Sequence, residues 1–283
     1  SVLLCVLDVA FNYVFIYRLH LGVMGAALGT AVAYICTSLP ITWFATCRDK
    51  ILALKWDRAP FHWVWNYVMK AVKISLPIAV QSILMSGAQI ISTIIVAPLG
   101  NVAIAAHSFA ITAESLCYMP GYGIGDAATT LVGQTFGAGR SALCRSFARL
   151  TVGLGMSVMA AMGAIMYVFA PEMIALLSPV ADIQALGASV LRIEAFAEPF
   201  FAASIVTYSI CVGAGDTLRP AIMNLASMWC VRLTLAAYLA RDYGLRGVWM
   251  AMAVELTFRG LLFLYRLFRG NWLKALEEKA PAA

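Results

Sequence analysis

The feature that most constrains the fold of this chain is a series of long apolar runs, each about as long as a helix that crosses a lipid bilayer. A membrane-spanning helix needs roughly 20 apolar residues. The runs cover residues 1–17, 24–46, 68–97, 102–133, 148–169, 187–212, 221–240 and 247–268. Backbone groups in lipid must be satisfied internally, and continuous runs favour helices over the alternating strands of a barrel. The sequence therefore predicts an all-α membrane protein with eight transmembrane helices.

Composition and charge indicate a multi-pass membrane protein and argue against a nucleic-acid partner. The chain is 62% hydrophobic and 12% charged, whereas soluble domains are about half apolar and a quarter charged. Its formal net charge is +6, and Lys and Arg are concentrated after the second, fourth and eighth runs. Because positive residues stay on the cytoplasmic side, we predict a cell inner (plasma) membrane protein with a cytoplasmic C-terminus. The seven cysteines form no CxxC pair and are interpreted as small apolar packing residues.

Residues 47–66, “CRDKILALKWDRAPFHWVWN”, connect the second and third runs and mix basic with aromatic side chains. Tryptophan and basic residues together are typical of a segment that lies on the membrane surface. We predict an amphipathic connector on the cytoplasmic surface; a plain solvated loop is the alternative.

An internal repeat suggests how the chain is divided. The segments “GVMGAALGTAV” (22–32) and “GLRGVWMAMAV” (244–254) share two glycines, an alanine and a valine at the same spacing. Six-helix halves related by an axis along the membrane normal are a transporter architecture with the substrate path between them. A repeat of this length implies that roughly 175 N-terminal residues, about four helices, are absent. The predicted parts are the last two helices of an N-terminal lobe (1–46), the connector (47–67), a complete six-helix C-terminal lobe (68–270) and a cytoplasmic tail (271–283).

Four segments resemble the multidrug and toxic compound extrusion (MATE) family, and the resemblance extends over nearly all of residues 1–270. The segments are “ISLPIAVQSILMSGAQIISTIIVAPLGNVAIAAHS” (74–108), “ESLCYMPGYGIGDAATTLVGQTFGAGR” (114–140), “GAGDTLRP” (213–220) and “GLRGVWMAMAVE” (244–255). The “AHxxAxxxES…P” run is more similar to the DinF-like bacterial branch than to the NorM branch.

The resemblance implies a fold of twelve helices in two six-helix lobes around a central cleft. This chain would then hold the last two helices of the N-lobe and the whole C-lobe. The resemblance also implies an antiporter, not an enzyme, that exports cationic amphipathic drugs in exchange for H⁺ or Na⁺. We expect no cofactor beyond the coupling ion. The expected partners are small cationic drug-like substrates and the lipid bilayer, and the expected state is a monomer.

Asp8 and Asn12 are the first candidate functional residues. They are four positions apart in “LDVAFNYVFIY” (7–17), so they share one helix face. Asp8 lies roughly 14 Å from the end of its run at about 1.5 Å per residue, near the bilayer midplane, where an ionisable side chain is costly and suggests function. The resemblance implies that this pair and Thr30, which follows “GxxGAAxxT”, contribute to an H⁺ or Na⁺ site. The alternative is that Asp8 and Asn12 only bond neighbouring helices.

Glu114 is the second candidate for cation or proton coupling. It lies about halfway across its predicted span, and the resemblance implies an acid at this “ES” position. A carboxylate in a low dielectric favours its neutral form, so a proton, Na⁺ or a cationic drug could each neutralise it in turn. The alternative is a buried hydrogen bond to Thr112 or Tyr118.

Other polar residues within the runs are candidates for lining a substrate cleft. They are Gln81, Gln89, Glu194, Glu198 and Glu255. Arg232 lies at a similar depth to two of these acids, and we predict a structural ion pair of Arg232 with Glu194 or Glu198, because an unpaired charge there is expensive. Met85 and Phe201 stand where the resemblance places acids in NorM-type members, so a C-lobe cation site of that type is not expected.

Two other functions are weighed against drug export. A flippase for lipid-linked oligosaccharide needs several Arg or Lys to hold pyrophosphate, and we place only Arg192 and Arg232 well within spans, with acids near them. A membrane enzyme needs a His/Asp/Glu or Ser/His constellation at one depth, and the three histidines at 20, 62 and 107 are scattered. No metal site is expected beyond Na⁺ at Asp8, Asn12 and Thr30.

Overall fold

The computed structural model describes residues 2–48, 64–269 and 272 of the chain, and the regular structure of these residues is helical throughout. The helices are α1 (Val2–Tyr13), α2 (Gly22–Cys47), α3 (Trp65–Val96), α4 (Asn101–Gly137), α5 (Ser141–Leu177), α6 (Ala181–Glu194), α7 (Glu198–Gly213), α8 (Leu218–Ala226) and α9 (Leu233–Arg269). The predicted all-α membrane fold is confirmed.

The eight predicted runs correspond to these helices once the breaks are taken into account. Within the described residues, five helical segments are each long and apolar enough to cross a bilayer, and α6 with α7, bent by 59°, makes a further broken span. One of the five, Leu218–Arg269, contains two runs. They separate at Gly244, where φ is 57° and ψ is −137°, a conformation that glycine adopts without a Cβ clash. A π-helical turn, Val14–Arg18, continues α1 to the end of the first run.

Residues 1–64 form one compact unit, in which α1 packs on α2. The buried residues of α2 recur at every fourth position and are Gly25, Gly29, Ala33 and Thr37. Small residues at this spacing let two membrane helices approach closely. At Gly29 an added Cβ would collide with the Asn12 amide oxygen, so the absence of a side chain at Gly29 allows Asn12 to lie against α2.

Residues 65–283 form the second compact unit. Helix α4 packs against α5, α6 and α7, and α9 packs against α6 and α7. One apolar core cluster includes Ala106 and Trp249, and the other, nearer the opposite end of the helices, includes Val132 and Ile210. Glu114 of α4 lies within the level of the first cluster, whose members on the same helix include Ala113 and Cys117, so its carboxyl group is surrounded by apolar packing.

The division between the two units falls at residues 64 and 65, inside the predicted connector 47–67. Most of that connector lies outside the described residues, as does the predicted tail apart from Trp272, whose ring nitrogen donates to the Leu267 carbonyl at 3.2 Å. The predicted domain boundaries therefore stay predictions.

Candidate functional site

The first candidate site is the pair Asp8 and Asn12 on α1. Both side chains are half-buried, and Asp8 Oδ1 and Asn12 Oδ1 are sealed from solvent without a hydrogen-bond partner among the described residues. Thr30 of α2 is also half-buried and follows Gly29, on which Asn12 packs. Buried oxygens without a donor are uncommon in proteins. The Asp8 carboxylate can take up a proton, and both oxygens can coordinate a small cation, which is the role predicted for them.

The second candidate site is a cluster of buried charges in the unit formed by residues 65–283. Each of its side chains is at most 6% exposed, and the members come from four different helices and one π-helical turn. They are Glu114 on α4, Glu194 on α6, Glu198 on α7, Arg232 on the turn Ser227–Arg232, and Glu255 and Arg259 on α9. Burying this many charges is costly unless each has a partner, so the partners of each residue matter.

Within the described residues this cluster contains one ion pair, between Arg259 and Glu255. Arg259 Nε lies 3.3 Å from Glu255 Oε1, and the Ser227 hydroxyl donates to the same oxygen at 2.5 Å. The Arg259 guanidinium also lies 5.5 Å from the centre of the Phe201 ring. The expectation that only Arg192 and Arg232 lie well within spans is therefore wrong, because Arg259 is buried inside α9. The sequence does indicate this position, because Arg259 follows Glu255 by four residues within an apolar run, a spacing at which two side chains of one helix meet.

Arg232 does not form the predicted ion pair with Glu194 or Glu198. No carboxylate of the described residues lies within 4.0 Å of its guanidinium, and its Nη2 lies 2.6 Å from the Met252 sulfur. Both Glu194 and Glu255 act on it electrostatically from farther away. The physical reason is the π-helical turn that ends at Arg232, because a π turn holds an extra residue and re-aims the side chains that follow.

Glu194 and Glu198 lie on either side of the bend between α6 and α7. All four of their carboxyl oxygens are buried and lack a hydrogen-bond partner among the described residues. Gly163 of α5 makes room for the bend, because a Cβ there would lie 2.8 Å from the Ala195 carbonyl oxygen and 3.1 Å from Glu198 Cβ.

A cavity of about 150 Å³ opens beside this cluster, and we call it the lobe cavity. Its charged lining residues are Glu114, Arg232 and Arg259. The rest of the lining consists of Met85, Gln89, Ile111, Tyr118, Tyr122, Phe201, Met252 and Leu256. Of the residues predicted to line a substrate cleft, Gln89 lines this cavity, whereas Gln81, Glu194, Glu198 and Glu255 do not. Their role in a substrate cleft stays a prediction.

Glu114 faces the lobe cavity and is 3% exposed. The hydrogen bond to Thr112 that was its alternative role is not formed, since the Thr112 hydroxyl donates to the Ser108 carbonyl at 3.0 Å. Tyr118 packs edge-on against Tyr122 and Phe201, with both ring centres 5.7 Å from its own. The result is a carboxylate beside an aromatic wall, a combination that can hold a cation.

Comparisons with known proteins identify the family of this chain. The MatE family model matches residues 77–238. The probable multidrug resistance protein NorM of Thermotoga maritima is 26% identical over 257 residues, covering 90% of this chain and 55% of that protein. The multidrug and toxin extrusion protein 1 of Oryctolagus cuniculus is 26% identical over 270 residues, with 94% and 47% covered. The chain therefore spans about half the length of these curated relatives.

Two solved structures have the same fold. A MATE protein crystallised in the straight conformation superposes with a TM-score of 0.87 at 21% identity, over 98% of this chain and 62% of that one. The Vibrio cholerae MATE transporter VcmN in the bent form gives 0.84 at 16% identity, over 98% and 62%. Members of the matched family are transporters, not enzymes. Because the family model covers more than half of the chain, this chain belongs to the MATE family.

Proposed function

We propose that the protein to which this chain belongs is a cation-coupled antiporter that exports cationic amphipathic compounds across the plasma membrane by alternating access. Membership of the family supports transport, and the relatives named above are described as multidrug resistance or extrusion proteins. The observation that carries the proposal is the buried Glu114 carboxylate, which faces the lobe cavity beside Tyr118, Tyr122 and Phe201.

Exchange follows from competition for buried negative charge. A carboxylate at this depth is stabilised when a proton, Na⁺ or a cationic substrate neutralises it. If the two occupants favour opposite orientations of the protein, binding of one drives release of the other. We assign Glu114 to the substrate or a proton. Asp8, Asn12 and Thr30 are assigned to the coupling ion, H⁺ or Na⁺, because two of their oxygens lack donors.

The remaining lining of the lobe cavity suits substrates with a flat apolar body. Aromatic faces attract organic cations, and flexible thioethers such as those of Met85 and Met252 adapt to different shapes. No cofactor is needed for this chemistry.

A flippase for lipid-linked oligosaccharide is the second candidate function. The observation that favours it is the second buried arginine, because Arg232 and Arg259 both line the lobe cavity and guanidinium groups bind phosphates. Against it, Arg259 is already paired with Glu255 and a carboxylate occupies the same wall, so we rank drug export first.

Ethidium efflux from cells that carry the full-length gene tests the proposal, with Na⁺ and pH gradients imposed separately. We expect efflux driven by one of the two gradients, and we expect Glu114→Gln to abolish it. The matched control is Glu172→Gln, which changes an exposed carboxylate of α5 and should leave efflux intact. Efflux by Glu114→Gln at the unmodified rate would contradict the assignment of Glu114, and the absence of efflux under both gradients would contradict the proposed function.

A further inference from the structure

We propose that an exposed face of the second unit carries a phospholipid site, in which Arg192 binds the lipid phosphate and two apolar grooves each hold one acyl chain. The site is built by α5, α6, α7 and α9, and none of its residues lines the lobe cavity. The proposal is independent of drug export and requires only that the chain is embedded in a bilayer. Its basis is an arginine fixed beside two grooves that one phenylalanine separates.

Arg192, in the last turn of α6, is held in place by a proline of α5. Pro171 has no N–H, so the Tyr167 carbonyl four residues earlier lacks its usual helical donor. Arg192 Nε donates to that carbonyl at 3.3 Å, and the guanidinium lies 5.7 Å from the centre of the Tyr167 ring. The proline therefore provides the acceptor that fixes the arginine on the surface of α5.

Most of the hydrogen-bonding capacity of Arg192 is unused. Four of the five N–H donors of a guanidinium are on its two Nη atoms. In the part of the chain that the structure describes, these atoms have no acceptor, and no carboxylate lies within 4.0 Å of the side chain. Arg192 is exposed, and an unpaired charge within a membrane helix is costly. A lipid phosphate would supply both the negative charge and a pair of acceptor oxygens.

The depth of Arg192 suits contact with a lipid headgroup. It lies roughly 8 Å from the start of the apolar run 187–212, at about 1.5 Å per residue. Long basic side chains at such a depth extend toward the membrane interface, where the phosphates lie. The adjoining segment between α5 and α6 is predicted to be outside, so the lipid would belong to the outer leaflet.

Two apolar grooves lie next to this anchor. The first, which we call the α5 groove, lies between α5 and the bend that joins α6 to α7. Its volume is about 490 Å³, and its lining includes Ala160, Ala164, Tyr167 and Val168. The second, the α9 groove, lies between the same bend and α9. Its volume is about 390 Å³, and its lining includes Ala253, Val254, Phe258 and Leu261. Because Tyr167 lines the α5 groove and contacts Arg192, that groove begins beside the guanidinium.

Phe196 separates the two grooves, since it lines both of them. Its side chain is 72% exposed. Its ring packs edge-on against Tyr167, with the two ring centres 5.5 Å apart. Arg192 and Phe196 are thus both in contact with the same tyrosine. A single charged group beside two apolar channels matches the shape of a lipid with one phosphate and two chains.

The length of each groove agrees with one leaflet of a bilayer. Ala160 and Val168 mark the extent of the α5 groove, and Ala253 and Leu261 that of the α9 groove. Each pair is eight residues apart, or about 12 Å along a helix. One leaflet contributes about 15 Å of hydrocarbon, half of the bilayer core. Each groove can therefore hold most of an acyl chain.

Three lipids with palmitoyl chains test the proposal, with binding to the full-length protein measured by native mass spectrometry. They are dipalmitoylphosphatidylglycerol, dipalmitoylglycerol, which lacks the phosphate, and lysophosphatidylglycerol, which lacks one chain. We expect the first to bind about tenfold more tightly than dipalmitoylglycerol, since a charge-assisted contact contributes roughly that factor. It should also exceed the single-chain lipid, because a second chain buries more apolar surface.

The unmodified protein alone can overturn the proposal. Equal affinities for dipalmitoylphosphatidylglycerol and either of the other lipids would do so. The absence of binding would do so too, and is the expected result if another segment of the full-length protein fills the grooves.

An arginine variant tests the phosphate contact. Arg192→Gln should remove the preference for dipalmitoylphosphatidylglycerol over dipalmitoylglycerol while leaving the affinity for dipalmitoylglycerol unchanged. The matched control is Arg241→Gln, which changes an exposed arginine that lines neither groove and should keep the preference. If Arg192→Gln weakens both lipids by the same factor, Arg192 is structural and the proposal fails.

A matched pair of α5 variants tests the acyl-chain contact. Ala161 and Ala164 are both exposed, but only Ala164 lines the α5 groove. Ala164→Phe should fill that groove and remove the preference for two chains over one, whereas Ala161→Phe should retain it. Neither substitution enlarges a buried side chain, so both variants should fold. Equal effects of the two substitutions would contradict the placement of a chain in the α5 groove.

Discussion

At the scale of single residues, the consequence of a buried charge depends on the neighbours that the fold supplies. Glu255 is fully buried, accepts from Ser227 and lies 3.3 Å from Arg259. Arg232, Glu194 and Glu198 are as deeply buried but have no oppositely charged contact in the described residues. The Glu255 charge is offset within the protein, whereas Arg232 lines the lobe cavity and Glu194 and Glu198 are sealed away from it.

Glu255→Gln should destabilise the lobe strongly. Removal of one partner of a buried ion pair leaves the other uncompensated, which costs about 3–5 kcal/mol. Thermal unfolding of the full-length protein in detergent measures this loss. Glu172→Gln is the control, because a surface change of the same chemistry is usually within about 0.5 kcal/mol. Equal melting temperatures for the two variants would show that the Arg259–Glu255 pair is not a stabilising contact.

Asp8→Asn should abolish drug export while leaving expression in the membrane normal. The substitution keeps the shape of the side chain but removes the negative charge that a coupling cation would neutralise. Drug resistance of cells with the full-length gene is the measurement. Asp242→Asn serves as the control, because Asp242 is exposed. Unchanged resistance in the Asp8 variant would favour the reading in which Asp8 only bonds neighbouring helices.

The sequence was sufficient to identify several residues of the candidate sites, but it did not predict the contacts that Arg232 makes in the structure. Asp8, Asn12 and Glu114 stand out because a polar residue inside an apolar run is visible in the sequence alone. The partner of Arg232 could not be predicted, because the π-helical turn Ser227–Arg232 has no glycine or proline to mark it. A straight α-helix would aim the side chain elsewhere.

At the scale of helices, the bend between α6 and α7 positions the buried carboxylates. The bend of 59° carries Glu194 on one arm and Glu198 on the other. It is accommodated by α5, where Gly163 faces the Ala195 carbonyl oxygen and the Glu198 side chain. A backbone carbonyl cannot move aside as a flexible side chain can, so this contact depends on the glycine.

Gly163→Ala and Gly123→Ala form a matched pair of helix-interior substitutions. At Gly163 the new Cβ would lie 2.8 Å from the Ala195 oxygen, and overpacking of this kind costs typically about 1–3 kcal/mol. At Gly123 nothing lies within 4 Å, and alanine should stabilise α4 by roughly 0.5–1 kcal/mol. Denaturation of the two full-length variants should therefore give shifts of opposite sign. Shifts of the same sign would contradict the close contact at Gly163.

The lengths of the apolar runs were sufficient to predict the spans but not their irregularities. Pro199 at the start of α7 is a local signal for the bend, because a proline cannot donate to the carbonyl four residues back, that of Ala195, and its ring clashes there. Gly244 is likewise a local signal, because a glycine between two runs can adopt the positive φ of 57° that the turn requires.

At the scale of the whole molecule, the second compact unit, residues 65–283, packs its helices around two apolar core clusters. The distribution of Lys and Arg gives that unit a predicted orientation. The basic C-terminal end and the segment after α4 should be cytoplasmic, and the segment between α5 and α6 should be outside.

Reporter fusions to the full-length gene test this orientation. Green fluorescent protein at the C-terminus should fluoresce, and alkaline phosphatase fused there should be inactive, because the C-terminus is predicted to be cytoplasmic. Alkaline phosphatase fused after Ser178, between α5 and α6, should be active. The reverse pattern of activities would invert the predicted topology and place the C-terminal end outside the cell.

The π-helical turn before α9 has a mechanical consequence. A helix that contains one surplus residue can pass that residue along its length without displacing either end. Each step rotates the side chains that it passes by about 100° around the helix axis, the angle per residue of an α-helix. Arg232 is the last residue of the turn Ser227–Arg232 and lines the lobe cavity, so a one-step migration would turn its guanidinium by that angle relative to the cavity wall. The charge that faces the cavity would then change while both ends of the helix stay in place.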